Sequence, residues 1–206
     1  MHTMNKLQTL LIAGVLPLLV AGCAGKAPAG PSLDDVFASR RSIRAYEAGK
    51  IVTESQVREL MAAVQNAPSW ANQQPSKYYV ALSGEKRAAV LEMIGGNKER
   101  VAEASAFLVS TFETGKSGFF RGQPANEIGD GWGAYDNGLS NAYLVLKARA
   151  MGMDTLIMGM RDSEALRALF SIPEEETVMA VIALGYRAQD PKEPVHRPLD
   201  EVVKFF

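Results

Sequence analysis

Three cations and a hydroxyl fall within five residues at Arg40-Arg41-Ser42-Ile43-Arg44. Guanidinium forks match phosphate oxygens, and the charge-assisted bonds they make are stronger than neutral ones, so this spacing suits a doubly charged phosphate. Taken alone, the run reads first as a solvated basic corner. Two further stretches bear on it: Ala67-Pro68-Ser69-Trp70-Ala71-Asn72-Gln73-Gln74-Pro75 and, late in the chain, Val195-His196-Arg197-Pro198-Leu199.

The chain that must position these residues opens with an export-type leader. Lys6 supplies a positive start, Leu10 to Val20 is apolar, and Val20-Ala21-Gly22-Cys23 forms a bacterial lipobox around the single cysteine. The apolar run is shorter than the about 20 helical residues that span a bilayer, so cleavage before Cys23 and lipidation there is expected rather than a permanent membrane helix. An ordinary secretory signal with an incidental cysteine is the weaker alternative. Residues 23–32, rich in Ala, Gly and Pro, read as a tether reaching about 30 Å at roughly 3.3 Å per residue. The reading therefore has three parts: leader 1–22, lipidated Cys23 with tether to 32, and one domain over 33–206, placed at the cell envelope.

Removing residues 1–22 takes one of 22 basic side chains and none of 23 acidic ones, leaving a net charge of −2. That balance carries no nucleic-acid footprint. A domain of this size buries about 70% of its unfolded surface without disulfides. The mature chain keeps one histidine, His196, and no free thiol. A zinc site of His and Cys and a Cys-His nucleophile are both disfavoured, no metal site is expected, and no Gly-x-Ser-x-Gly elbow accompanies His196. No catalytic side chain is assigned: chemistry is expected from a borrowed cofactor.

Capping boxes at Ser32-Leu33-Asp34-Asp35 and Thr53-Glu54-Ser55-Gln56 open two helices, the second stopped by Pro68. Strands are expected at Lys77 to Leu82, Ala106 to Phe112, Thr155 to Met158 and Thr177 to Tyr186, and further helices from Ser83 to Met93 and from Asp162 to Phe170. Pro173 and the three glutamates after it read as an exposed turn. Glu113 to Tyr135 reads as a long glycine-rich loop of lid type; it contains Gly115-Lys116-Ser117, but Ser110 stands where a P-loop needs its first glycine. Asp136 to Met151 is the strongest helix, with Leu139, Tyr143, Leu146 and Ala150 on one side and Ala142, Leu144 and Val145 making much of the rest apolar, which places it in the core or in a subunit interface. The mixture lacks β-α-β alternation, and the fold class is α+β.

Four pieces together resemble the nitroreductase family of flavin enzymes: Arg40 to Arg44, Pro68 to Pro75, Asp136 to Ile157, and Arg197-Pro198-Leu199-Asp200-Glu201-Val202-Val203. The resemblance implies a three-layer sandwich, a central mainly antiparallel sheet flanked by helices, assembled as an intertwined homodimer with FMN at its interface. It implies that Arg40, Arg41, Ser42 and Arg44 meet the phosphate and ribityl chain, that Asn72 meets the isoalloxazine edge, that Met158 and Gly159 are backbone donors near N5 and O4, and that Arg197 is a late phosphate clamp. Ser76 after Pro75, Trp70, and Met160 after Gly159 depart from the family pattern and bear on the substrate pocket. The implied activity is ping-pong reduction of a nitroaromatic, quinone or similar acceptor, with NAD(P)H or an unknown partner as donor, since NAD(P)H is not expected outside the cytoplasm. A reductive dehalogenase or flavin-modifying enzyme on the same fold, and a tethered flavin-binding protein without turnover, stand as alternatives.

Overall fold

The computed structural model describes residues 30–206; the leader, Cys23 and most of the tether lie outside the described residues. Both capping boxes form. Helix α1 (Leu33–Ser39) has Ser32 and Asp35 exchanging bonds of 3.2 and 3.1 Å, and α2 (Glu54–Val64) has Thr53 and Gln56 doing the same at 2.9 and 3.2 Å. Each box satisfies two amide donors that a helix start leaves without partners.

The sheet is built from β1 (Ser76–Ala81), β2 (Ala106–Glu113), β5 (Asp154–Met158) and β6 (Glu176–Gly185), ordered β1-β2-β6-β5 with every neighbouring pair antiparallel. Its two central strands are buried on both faces. Phe107, Val109, Val181 and Ala183 pack with Val90 of α3 (Gly84–Leu91) and Leu166 of α5 (Ser163–Phe170). On the opposite face Leu108, Ile182 and Leu184 pack with Leu60 of α2 and with Leu144 and Ala148 of α4 (Gly131–Ala150). The result is the expected α+β sandwich of helix layer, antiparallel sheet and helix layer. A short helix α6 (Leu199–Val202) lies in the exposed C-terminal tail.

Three expectations are corrected. The Glu113 to Tyr135 stretch is not all loop: it holds a small hairpin, β3 (Phe119–Phe120) with β4 (Gln123–Pro124), and α4 begins inside it at Gly131. Glycines hid that start, because they weaken helix propensity. Gly133 is there for a packing reason, since a Cβ would strike the Phe112 ring of β2.

The inward face of α4 is also not the expected apolar stripe. Asp136, Asn137, Ser140, Asn141, Leu144 and Ala148 are buried, whereas Leu139 and Leu146 are half-buried and Tyr143 and Ala150 exposed. The polar residues satisfy one another and β1–β2: Asn137 Nδ2 donates to the Thr111 carbonyl (2.9 Å), Ser110 Oγ to Asn137 Oδ1 (2.8 Å) and Tyr78 OH to Asn141 Oδ1 (2.9 Å). Finally, Glu176 is not part of an exposed turn but is buried, accepting from Tyr79 OH at 3.0 Å and Thr111 Oγ1 at 2.5 Å.

The α4 helix ends as expected at Gly152, whose φ of 76° only glycine adopts freely. The Met153 and Gly152 amides donate back to Ala148 and Arg149 at 2.9 and 3.0 Å, closing a Schellman motif.

Gly133→Ala should destabilise the protein by about 1–3 kcal/mol through overpacking against Phe112. Gly84→Ala, where a Cβ meets nothing within 4 Å, should be neutral or stabilising by about 0.4–1 kcal/mol. Urea unfolding midpoints of the two variants measure the contrast, and equal shifts would refute the packing account.

Candidate functional site

The arginine run is laid along the open edge of β5. Arg40 caps α1, its amide donating to the Val36 carbonyl at 2.9 Å, and the chain then extends so that Ser42 bridges Thr155 in parallel and the Ile43 amide donates to the Thr155 carbonyl at 3.0 Å. Ile43, 1% exposed, plugs the core. The period of two in an extended chain then turns Ser42 and Arg44 outward, and both are exposed.

Charge balance distinguishes this run from the other arginines nearby. Among the described residues, the one acid within ion-pair range of the run is Glu193, 3.9 Å from Arg41 and largely exposed. Otherwise Arg41 and Arg44 donate to the backbone carbonyls of Arg40 and Ser42 at 2.8 and 3.3 Å. Arg149 and Arg187, by contrast, are both paired with buried Asp154. Three guanidinium groups are thus left with little internal counter-charge on one edge of the sheet, a donor set that fits a phosphate dianion.

The β5 strand runs past this segment to Met158 and Gly159. Because the Thr155 carbonyl points away from β6, alternation along the strand turns the Gly159 amide outward as well and turns the Met158 amide toward its partner Val181. Met158 is therefore engaged within the sheet, its side chain 3% exposed, and does not supply the donor assigned to it; Gly159 is exposed, with open space above its Cα. The turn is fixed from behind, where Arg161 donates to the Gly159 carbonyl at 2.7 Å and to the Val178 carbonyl, and the Asp162 amide donates to the Met93 carbonyl at 2.7 Å.

Asn72 sits in a strained turn hung from α4. Ala71, Asn72 and Gln74 have φ of 44°, 56° and 49°, three left-handed non-glycine residues within four positions. Such residues persist only where their surroundings over-determine them. Here the Trp70 amide donates to Asp136 Oδ2 at 2.9 Å, the Gln74 amide to Ser69 Oγ at 3.0 Å, and Gln74 Nε2 to Asn72 Oδ1 at 3.0 Å. Asn72 keeps its amide NH₂ free of partners among the described residues. Trp70 also packs on Trp132 (ring centroids 4.8 Å apart, planes tilted by 53°), which meets Tyr135 edge-on at 5.6 Å. A cavity of about 360 Å³, lined by Ser69, Gln74, Ser76, Tyr78 and Ser140, lies beside the turn. Burial pushes the Tyr78 hydroxyl well above the usual tyrosine range, against smaller opposing hydrogen bonds from Ser110 and Ser140.

Of the residues singled out from sequence, Arg40, Arg41, Ser42, Arg44 and Gly159 share the β5 edge. No hydrogen bond or ion pair among the described residues joins Asn72 or exposed Arg197 to that edge. Asp136 and Trp132 were missed: Asp136 resembled an ordinary helix-start acid, and Trp132 fell in the stretch taken for loop.

The antiparallel sandwich with an anion-suited edge defines an α+β protein of cofactor-binding type. Residues 37–186 match the nitroreductase family, and the chain belongs to it. It is 30% identical over 203 residues to a protein named NADH dehydrogenase from Thermus thermophilus, covering 84% of this chain and 96% of that one. Among solved structures it resembles a nitroreductase from Exiguobacterium sibiricum 255-15 in complex with FMN (TM-score 0.77, 18% identity, 85% and 98% of the two chains covered). It also resembles the NADPH:FMN oxidoreductase of Vibrio harveyi complexed with NAD+ (TM-score 0.69, 24% identity, 84% and 76% covered).

Asp136→Ala should leave the half-buried Trp70 amide without its acceptor, at a cost of about 1 kcal/mol, and red-shift tryptophan emission as the Trp70–Trp132 contact loosens. Asp136→Asn, which keeps an acceptor oxygen, should retain most of both. An unshifted emission spectrum in the alanine variant would refute the role given to this bond.

Proposed function

We infer that the protein is an FMN-dependent oxidoreductase of nitroreductase type. The observation that carries the reading is the run of three arginines with little internal counter-charge, lying on the same strand edge as the free Gly159 amide in a member of this family. Arg40, Arg41, Ser42 and Arg44 hold the phosphate and ribityl chain, with Arg197 as a second clamp. The Asn72 NH₂ would meet the ring edge, and the Gly159 amide would supply a fixed donor to the ring, where such a donor favours the more negative, reduced form and so tunes its potential. When bound, FMN supplies reversible two-electron chemistry, carrying electrons from a donor to a nitroaromatic, quinone or similar acceptor in two half-reactions. No side-chain acid or base is required.

The donor follows the names of the relatives, NADH or NADPH. A lipid anchor on Cys23 would place the domain at the cell envelope, where an unknown reductant takes that part; intact-mass measurement of the mature protein tests the anchor.

A homodimer completes the site. Among the described residues no hydrogen bond or ion pair joins Asn72 or Arg197 to the arginine run, and the outer face of α1 and α4 exposes Leu33 (62%), Phe37 (55%) and Tyr143 (40%) around a groove of about 540 Å³. A second copy covers that face, and the tail residues Leu199, Val202, Phe205 and Phe206, all exposed, add apolar surface for the same partner. Tyr143→Glu should convert the dimer to monomer in light scattering and release flavin with it; a wild-type monomer that retains flavin would overturn the two-chain site.

The ordered hairpin between Glu113 and Asp130, pinned by the Gly115 amide on Asp130 Oδ1 at 2.6 Å, favours a second reading, a lidded dehalogenase or flavin-modifying enzyme on the same fold. Reoxidation assays with nitro, quinone and halogenated acceptors separate the two, and no reoxidation by any of them would leave a flavin-binding protein without turnover.

The flavin itself is tested by the visible spectrum after addition of FMN and desalting. Wild-type protein should retain the flavin band, and an Arg41→Ala/Arg197→Ala double variant should lose it, since removing two charge-assisted phosphate bonds, at about 1.5–3 kcal/mol each, weakens binding by about a hundredfold to ten-thousandfold. A colourless wild-type protein would refute the cofactor assignment.

A further inference from the structure

Asp154 opens β5 with 3% of its surface exposed, and its carboxylate is spent on two guanidinium groups. Arg187 meets it side-on, through Nε at 2.8 Å and Nη2 at 2.6 Å, and Arg149 from the last turn of α4 adds Nη1 at 3.1 and 3.2 Å. Arg187 also reaches further. Its Nη2 donates to the Ser39 carbonyl at 3.0 Å and its Nη1 to Asp190 at 2.8 Å.

Ser39 is the residue directly before the arginine run. The run is therefore anchored at its start by Arg187, in its middle by the Thr155 carbonyl, and at its far end by the Ala188 amide, which donates to the Ala45 carbonyl at 3.0 Å. All three anchors come from two neighbouring pairs, Asp154-Thr155 and Arg187-Ala188, and the bond that joins those pairs through side chains is Asp154 to Arg187. Tyr46, 5% exposed, bridges Arg187 on the same platform. Its hydroxyl is pushed well above the usual range by burial first and by the Asp154 charge second, with Arg44 opposing.

The charges on the platform cancel: Asp154 and Asp190 balance Arg149 and Arg187. What remains without a close carboxylate among the described residues is exposed Arg44 and half-buried Arg40, with Arg41 held only by Glu193 at 3.9 Å.

We propose that Asp154 is the positioning residue of the phosphate subsite, holding the arginine run through Arg187 in the arrangement that selects a phosphorylated flavin over its unphosphorylated counterpart. The proposal rests on the FMN reading above. It makes a prediction opposite to that of simple electrostatics. Removing a negative charge near a phosphate should tighten binding if charge alone mattered, whereas removing a positioning residue should weaken it.

The test is a fluorescence titration of the full chain with FMN and with riboflavin, for wild type, Asp154→Asn, Asp154→Glu and Arg187→Lys. Wild type should prefer FMN. Asp154→Asn should weaken FMN about tenfold, the low end of what is lost when a residue that orients a metal ligand is removed, and leave riboflavin unchanged; Asp154→Glu should recover part of the preference. Arg187→Lys keeps the ion pair, and so the fold if the asparagine variant proves unstable, but has no fork to span Asp154 and Ser39; it should behave like Asp154→Asn. An unchanged or tighter FMN affinity, or equal loss of both flavins, in the two disrupting variants would overturn the proposal. A wild-type protein that did not distinguish the two flavins would overturn the phosphate reading itself, a separate result.

Discussion

Burial of β6 on both faces and along both edges is the constraint on which the rest of the molecule depends. Ten residues long, it pairs with β2 on one side and β5 on the other, and its alternating side chains enter both apolar clusters. A strand so enclosed leaves no solvent to satisfy its amides, so the two ladders must form together with the helix layers that cover them. Once β6 is placed, β5 is placed too, and β5 has only one edge left to offer. That edge receives the arginine run. The site is thus a surface feature whose backbone is registered, through β5, against a buried central strand.

Two kinds of arginine meet on that edge, and the difference between them is energetic. A guanidinium drawn partly out of water needs a carboxylate, because the desolvation cost is otherwise uncompensated; Arg149 and Arg187 each have Asp154. A guanidinium left in water needs nothing, since a surface ion pair is worth only about 0–1 kcal/mol. Arg44, exposed, and Arg40, half-buried, stand without acid partners among the described residues, and their charge is available to an incoming anion. A carboxylate among them would have gained little stability and would have competed with that anion.

Most of the architecture could be read from sequence because it depends on local chemistry. Capping boxes at Ser32 and Thr53, the stop before Pro68, the glycine end at Gly152 and the continuous apolar runs of β2 and β6 each act within a few residues. What could not be read depends on contacts distant in the chain. The start of α4 at Gly131 is favoured by a close approach to Phe112, about twenty residues away, against the local preference of glycine. The burial of Glu176 depends on hydroxyls from β1 and β2. The same division runs through the site. The arginine run and Gly159 stand out by composition and order, whereas Met158 was assigned a free amide that sheet alternation turns inward, and Asp136 acquires its role only because α4 brings it under the Trp70 amide.

The strained turn at Ala71 to Gln74 shows how such a site can be held without acid–base machinery. Positive φ at three non-glycine residues costs of order 1–3 kcal/mol each, and one buried carboxylate, one serine hydroxyl and a tryptophan contact oppose that cost from outside the turn. The α4 helix makes this possible by facing the sheet with polar residues: an apolar inner stripe would pack as well, yet would offer the Trp70 amide no acceptor. Tyr143 and Ala150 are correspondingly displaced to the outer face, where a single chain leaves them exposed, while Leu144 and Ala148 still reach the core. The polar inner face that holds the Asn72 turn and the exposed outer face are thus two consequences of one helix, so a change in α4 acts on both.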